Sequence, residues 1–439
     1  MKISCLLILL FDAVLCAQVR SPNDRPITSP KSLTSRANLK AGPVAIDELF
    51  YSRTVAGPSW SPDGREIVFT TNLTGRANLW KVSADGGWPV QLSQSDDREL
   101  AAAWSPDGKW IVYQQDFGGG EYFDLLAVPA AGGGAVNLTG TKEVSETRAF
   151  WSPDSKVIAF ERKLKSSAGS NIALMDRATR TVRELTHESS PDYTWSLAAW
   201  SRDGRWLLVE RANIGFTDGS VYRIDVATGK AEDLTPHAGR TIYRAGRLSP
   251  DGKFALITSN EKGGFANVAL LDVSSHKMTW VTDLQWDAAP GEFSPRGDQF
   301  TYLVNQDGRT DLYLVDRSSL QSTKINLPSG VSGFAGTPAS FSPSGDRLIL
   351  SHQDSQRPSD LWIYDMQNSS SRQLTYSALA GLDPERIPPS QLVHYRSFDG
   401  KIISAFVWLP DNLKRDGANP GIVLPHGGPT GQTLGVCRR

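Results

Sequence analysis

Short apolar runs alternate with polar, turn-forming residues through the middle of the chain, and this pattern predicts strands. Ile67-Val68-Phe69, Ile111-Val112-Tyr113 and Leu348-Ile349-Leu350 are examples. Each is too short for an ordinary helix and is bounded by Gly, Pro, Asp or Ser, as a buried strand is. A second set of runs ends in Asp: Ile172 to Asp176, Val221 to Asp225, Val268 to Asp272, Leu312 to Asp316 and Leu361 to Asp365. A shorter run then closes near Leu-Thr, as at Leu138-Thr139, Leu185-Thr186, Leu234-Thr235 and Leu374-Thr375.

These runs are in phase with a turn signal. Trp60-Ser61-Pro62-Asp63-Gly64 recurs at Trp104 to Gly108, Trp151 to Ser155, Trp200 to Gly204, Leu248 to Gly252, Phe293 to Gly297 and Phe341 to Gly345. Successive copies start 44, 47, 49, 48, 45 and 48 residues apart. That period is the length of a four-stranded propeller blade. The chemistry suits a tight turn between antiparallel strands. Ser bonds back to the turn, Pro sets φ, Asp tolerates the third place and Gly takes a left-handed fourth. The aromatic before the turn is expected to pack between blades, where burial contributes roughly 1.5–3 kcal/mol.

The copies vary. Arg202 replaces Pro, Arg296 and Ser344 replace Asp, and Ser155 replaces Gly, which predicts that Ser155 is the most strained turn. The fold expected is all-β: a seven-bladed β-propeller over residues 45–376. All seven repeats run from first to fourth strand in order. The ring is therefore expected to close by side-chain packing, with residues 40–53 adding no strand to the seventh blade.

Lys plus Arg is 46 and Asp plus Glu is 47, a formal net charge of −1, so nothing electrostatic calls for nucleic acid as partner. The 39 Gly and 26 Pro fit many turns and few helices. Lys2 followed by the apolar run Ile3 to Cys16, interrupted at Asp12, reads as an export signal over residues 1–17, cleaved after Cys16 or Ala17. A disordered or buried apolar terminus is the alternative. Leu15 stands where lipidation of Cys16 would want a small residue, which argues against a lipid anchor. The expected location is periplasmic or secreted. No later run is long and apolar enough for a membrane-spanning helix.

Residues 18–44, rich in Ser, Pro, Lys and Arg, read as a flexible leader. Cys5, Cys16 and Cys437 are the three cysteines and supply no internal disulfide framework. The six histidines (187, 237, 276, 352, 394 and 426) show no zinc-ligand spacing, and the recurring Asp residues read as turn punctuation. No metal or cofactor is expected.

Beyond Thr375 the repeat stops. Residues 391–409 read as two strands joined at Asp399-Gly400, and Ile422-Val423-Leu424 as a short buried strand entering Pro425-His426-Gly427-Gly428-Pro429. This succession, after a propeller with S-P-D-G turns, resembles the prolyl oligopeptidase family of serine peptidases, its acylaminoacyl-peptidase-like branch above all. The propeller repeat alone is shared with TolB-like propellers. The resemblance implies that residues 377–439 begin an α/β-hydrolase domain. It also implies that His426, Gly427 and Gly428 lie in the loop that shapes the oxyanion site.

The pattern then departs from the family. Catalysis there needs a Ser on a G-x-S-x-G elbow, then an acid and a His. No G-x-S-x-G occurs; Gly330-Val331-Ser332-Gly333-Phe334 comes nearest. The rest of a hydrolase domain, on the order of 200 residues, does not follow Pro429, and the ending reads as a frameshift or truncation. No Glu-Glu pair occurs, unlike in dipeptidyl-peptidase relatives. Two readings follow: the propeller and first hydrolase strands of an exported serine peptidase acting on peptides, inactive alone, or an exported propeller that binds a protein or peptide across its face.

Overall fold

In the computed structural model the described residues are 25–38, 42, 45–333, 339–377, 383–428 and 431–437. Apart from one helical turn at Ile46–Phe50 and two three-residue 3-10 turns, their regular structure is strand.

The strands form seven blades. The first has strands Val55–Trp60, Glu66–Thr71, Asn78–Ser83 and Val90–Gln91, and the second Glu99–Trp104, Trp110–Asp116, Phe123–Pro129 and Val136–Asn137. The third runs from Val144–Trp151 to Val182–Glu184, the fourth from Tyr193–Trp200 to Ala231–Asp233 and the fifth from Tyr243–Leu248 to Met278–Trp280. Each of these five is a four-stranded antiparallel sheet of consecutive strands. The sixth, from Asp287–Phe293 to Ser322–Lys324, joins the seventh through one parallel bridge, Thr310 to Val331. In the seventh the first strand is in two pieces, Val331–Ser332 and Ser340–Phe341, before Arg347–Gln353, Asp360–Asp365 and Ser370–Gln373. First strands of neighbouring blades touch around the ring and so line its axis.

The core lies in the junctions between blades. Val55, Trp60, Ile67 and Phe69 of the first blade pack on Ile349, Leu361 and Ile363 of the seventh. Val68, between Ile67 and Phe69, faces the other way, towards Ile111 and Tyr113 of the second blade. A blade is thus apolar on both faces, which explains second strands with no polar alternation. The same arrangement repeats at each remaining junction. The aromatics before the turns sit at these junctions: Trp60 Nε1 donates to Ser340 O (3.1 Å) and Trp151 Nε1 to Ala103 O (3.2 Å), each across a blade boundary.

The turns follow the residue chemistry. Ser61 Oγ donates to Asp63 Oδ1 (2.6 Å) and accepts the Glu66 N–H (2.9 Å). Ser105, Ser152, Ser201 and Ser249 bond Asp107, Asp154, Asp203 and Asp251 in the same way. Where Asp is replaced, the carboxylate comes from two residues further on: Ser294 Oγ donates to Asp298 Oδ1 (2.7 Å) and Ser342 Oγ to Asp346 Oδ1 (2.8 Å). The Leu-Thr signal also has a cause. Thr139, Thr186, Thr235 and Thr375 each accept, on Oγ1, a backbone N–H of the third strand, from Leu125, Ile172, Val221 and Leu361.

Ring closure uses side chains and few backbone bonds. Val55 N–H donates to Ser359 O (3.2 Å), and Arg372 reaches Ala84 O. The described residues of 45–53 add no strand to the seventh blade.

Candidate functional site

The turn joining the second and third strands of the sixth blade has both central residues left-handed, Asp307 at φ 53° and Gly308 at φ 76°. It carries the hairpin Gln391–Arg396 and Ile402–Val407, which follows the seventh blade. Asp307 Oδ1 accepts from Ser404 Oγ (2.7 Å) and faces His394 Nε2 (3.1 Å); His394 and Ser404 are directly paired across the hairpin. One carboxylate, 2% exposed, therefore holds both strands. Gly308 is pressed against the same region: a Cβ there would lie 2.8 Å from Thr433 O and 2.9 Å from Phe406 Cε2. Gly435 N–H donates to Gly308 O (2.9 Å). These contacts are at the opposite ends of the strands from the Ser-Pro-Asp-Gly turns, so the hairpin docks on the other face of the ring.

Residues 25–38, within the segment read as a leader, are bonded along the same hairpin. Ile27 forms a parallel bridge with Val393, with Ile27 N–H to Leu392 O (2.8 Å) and His394 N–H to Ile27 O (2.9 Å). Arg36 makes a two-pronged contact with Asp411 (3.0 and 2.9 Å), and Asn38 exchanges hydrogen bonds with Asn412. The Arg36 guanidinium and the Asn38 amide hold the Asp411 carboxyl below its ordinary range. Residues 1–24, which include the segment read from the sequence as an export signal, lie outside the described residues.

His426, Gly427 and Gly428 lie together on an exposed loop. Gly428 has φ 68°, and His426 Nδ1 is 3.3 Å from its neighbour's carbonyl, Gly427 O. Gly431 returns against His426 and Gly427 O closely enough that only Gly fits there. The strand predicted at Ile422-Val423-Leu424 is not formed, and these residues are 94%, 91% and 67% exposed. A strand takes its hydrogen bonds from a neighbour, and no described strand lies beside these three. The loop offers two glycine N–H groups without a Cβ in the way, the feature an oxyanion site uses. No Ser, acid and His of a triad come together there among the described residues.

A serine and a histidine do meet elsewhere. Ser332 Oγ is 2.7 Å from His352 Nδ1, both nearly fully buried in the seventh blade. Burial lowers the His352 pKa to about 4, so the ring is neutral. Thr310 Oγ1 donates to Ser332 O and accepts the Ser332 N–H. The pair is a structural tie: its hydroxyl has no access to solvent, and no carboxylate sits on His352 Nε2.

Facing the axis is a set of ion pairs that the sequence did not single out. Arg148–Glu161 (3.5 Å), Arg244–Glu210 (3.4 Å) and Arg247–Glu292 (3.6 Å) occupy the third to sixth blades. Glu161 Oε1 also accepts Leu197 N–H (2.8 Å) of the next blade. Burial raises the pKa values of Glu161 and Glu210, against the pull of their arginines. Arg148 sits at a bulge of its strand, at φ 50°, which turns its side chain off the ladder. Their sequence signal was weak, because the bulge breaks the two-residue alternation that would place them on one face.

Comparison with known proteins agrees with this architecture. The TolB beta propeller domain model matches residues 49–167 and 149–332. The Tol-Pal system protein TolB of Francisella tularensis is 26% identical over 231 residues, 50% of this chain and 48% of that protein. Dipeptidyl aminopeptidase BIII of Pseudoxanthomonas mexicana is 25% identical over 408 residues, 88% of this chain and 57% of the relative. Among solved structures, a prolyl endopeptidase superposes with a TM-score of 0.68 at 18% identity, over 84% of this chain and 56% of its own. Prolyl oligopeptidase B from Galerina marginata gives 0.65 at 14% identity, over 82% and 55%. The chain spans about half the length of the relatives it matches. It is a TolB-type β-propeller protein. More particularly, it is similar along most of its length to a dipeptidyl aminopeptidase and shares its fold with about half of each of these prolyl peptidase structures.

Proposed function

We propose that this chain supplies the access-restricting propeller and the first hydrolase strands of an exported serine peptidase that cleaves peptides. Residues 45–376 would be the propeller, and residues 377–439 the beginning of the hydrolase domain, with His426, Gly427 and Gly428 in its oxyanion loop. The observation that carries the reading is the hairpin Gln391–Arg396/Ile402–Val407, clamped through Asp307 onto the face opposite the Ser-Pro-Asp-Gly turns. A propeller that only bound a partner would have no use for a strand pair fixed in that position. The match to a dipeptidyl aminopeptidase through residues beyond the seventh blade supports the same reading. The TolB match, over half the chain, supports the alternative of a protein- or peptide-binding module.

In such an enzyme Ser attacks the peptide carbonyl, His moves the proton, and oxyanion-loop N–H groups stabilise the tetrahedral oxygen. The ion pairs along the axis would present fixed, mutually neutralised charges to a passing peptide. Without a nucleophile elbow, the 439-residue polypeptide is expected to have no peptidase activity of its own. Purified polypeptide would be incubated with short and long peptides and with a serine-directed phosphonate label. No hydrolysis and no labelling are expected; label-sensitive hydrolysis would overturn the reading of this polypeptide as inactive.

A further inference from the structure

The ion pairs along the axis cancel in number but not in exposure. Both faces of a blade are covered by its neighbours, so a residue midway along an inner strand meets solvent only through the axis. The side chains of Arg148 and Arg244 are 58% and 45% exposed, whereas those of their partners Glu161 and Glu210 are 10% and 11% exposed. In the third pair the two sides are level, Arg247 at 30% and Glu292 at 27%. An excess of positive charge at the channel wall therefore rests on Arg148 and Arg244.

The imbalance follows from the strands that supply the groups. Arg148 and Arg244 stand on the inner strands Val144–Trp151 and Tyr243–Leu248. Glu161 and Glu210 stand ten residues after Trp151 and Trp200, on second strands one step back from the axis. The other blades carry Thr70, Gln114, Thr258, Leu303 and Ser351 at that repeat position, so the carboxylates are peculiar to the third and fourth blades. Each is engaged by the next blade: Glu161 Oε1 accepts Leu197 N–H (2.8 Å) and Glu210 Oε2 accepts Ala245 N–H (3.4 Å). Burial favours the neutral form of both, which leaves the guanidiniums with less to cancel them. Arg148 engages Nε with Glu161 and Nη1 with Leu197 O (3.4 Å), and Arg244 engages Nη1 with Glu210, so each guanidinium keeps further N–H donors. The first two blades differ. The exposed and half-exposed positions of their inner strands are uncharged, among them Ala56, Gly57, Pro58, Ala101 and Ala103.

We propose that the axial channel binds a peptide segment with acidic side chains, its carboxylates on Arg148 and Arg244 and its small side chains along the first two blades. The inference rests on the propeller ring and not on the hydrolase reading, so its failure would leave that reading untouched. The lining selects the ligand class. A guanidinium pairs a carboxylate through two N–H groups. A basic segment would meet like charge at the wall, while Glu161 and Glu210 are set back and already engaged. An extended peptide points alternate side chains to opposite sides. Glu alternating with Ala therefore turns charge towards the arginines and methyl groups towards Ala56 and Ala101.

Fluorescence anisotropy of the full chain with three octapeptides tests this: alternating Glu and Ala, Gln and Ala, and Lys and Ala, each carrying a dye of no net charge. Saturable binding is expected for the Glu peptide alone, and it should weaken as salt is raised. Arg148→Gln and Arg244→Gln are each expected to weaken it about tenfold, the loss of one charge-assisted contact. Arg148→Lys keeps the charge and should retain most of the affinity. Lys277→Gln removes one positive charge between the third and outermost strands of the fifth blade, far from the axis, and should change nothing. Should an arginine variant fail to fold, the comparison of the three peptides on the unmodified chain still decides. Glu and Gln peptides that bind alike, or a Glu peptide that does not saturate, overturn the proposal. So does an affinity that Arg148→Gln and Arg244→Gln leave unaltered.

Discussion

Gly297 rests against Pro250 of the preceding blade's turn, so closely that a Cβ on Gly297 would lie 3.0 Å from Pro250 Cδ. The contact is part of a ring: Gly64 meets Pro343, Gly204 meets Pro153 and Gly345 meets Pro295 in the same way. Where Arg202 replaces the proline, the following Gly252 has nothing within 4 Å. Pro and Gly thus act across blades as well as within a turn. Both Gly252 and Gly297 are left-handed, at φ 68° and 72°, so alanine strains either backbone about equally. Gly297→Ala adds the clash with Pro250 and is expected to cost about 1 kcal/mol more than Gly252→Ala, measured as the difference between their denaturant unfolding free energies.

Ser155 tests the same ring from the other side. It holds the left-handed position at φ 63°, as predicted for the copy lacking Gly, and is buried. Its Oγ accepts the Asp107 N–H (3.0 Å) of the preceding turn, an inter-blade bond that a glycine could not make. Ser155→Gly relieves the backbone strain while losing that bond and is expected to be neutral within about 0.5 kcal/mol. Ser155→Ala loses the bond and keeps the strain, with an expected cost of roughly 1–2 kcal/mol. Equal unfolding midpoints for the two variants would show that the left-handed position is not strained, and a Ser155→Ala variant as stable as the unmodified chain would show that the hydroxyl bond contributes nothing.

What the sequence disclosed follows from how local each cause is. Ser-Pro-Asp-Gly turns, apolar second strands and the Leu-Thr closure are determined within one repeat, and the repeat recurs seven times with substitutions. The shifted carboxylates Asp298 and Asp346 were legible as S-P-x-G-D but were masked by reading one position at a time. The docking of residues 25–38 gives no periodic signal, because it consists of Arg36–Asp411, Asn38–Asn412 and one backbone bridge. Ile422-Val423-Leu424 has strand composition, yet strand formation depends on a neighbour that a single segment cannot specify. The sequence brought His426, Gly427 and Gly428 together only as consecutive residues; it could not supply what they act upon.

Asp307 is expected to govern the attachment of the hairpin without governing the propeller. Asp307→Ala removes the acceptor for Ser404 Oγ and the partner of His394. Limited proteolysis read by mass spectrometry should then show cuts within 391–437 several-fold faster than in the unmodified chain. A resistant fragment ending near residue 380 should accumulate in both. Unchanged cleavage rates would mean that residues 25–38, with Arg36 on Asp411, hold the hairpin unaided.

Burial makes stability depend on pH in a direction opposite to that of most carboxylates. Glu146, 1% exposed on the first strand of the third blade, has its pKa raised from 4.5 to about 7, chiefly by desolvation and against the hydrogen bond from Thr141. Asp360 is likewise raised by burial, from 3.8 to about 6. A group that binds its proton more tightly folded than unfolded stabilises the fold fully below its unfolded pKa and loses that contribution as pH rises through the folded value. For Glu146 the loss falls between about pH 4.5 and pH 7. Glu146→Gln stays neutral throughout and keeps the hydrogen-bonding shape. Relative to the unmodified chain it should therefore gain stability between pH 5 and pH 8, on the order of 1–3 kcal/mol. Denaturant unfolding of both proteins at the two pH values measures the difference directly, and a Gln variant no better at pH 8 than at pH 5 would show that Glu146 is ionised in the folded blade at little cost.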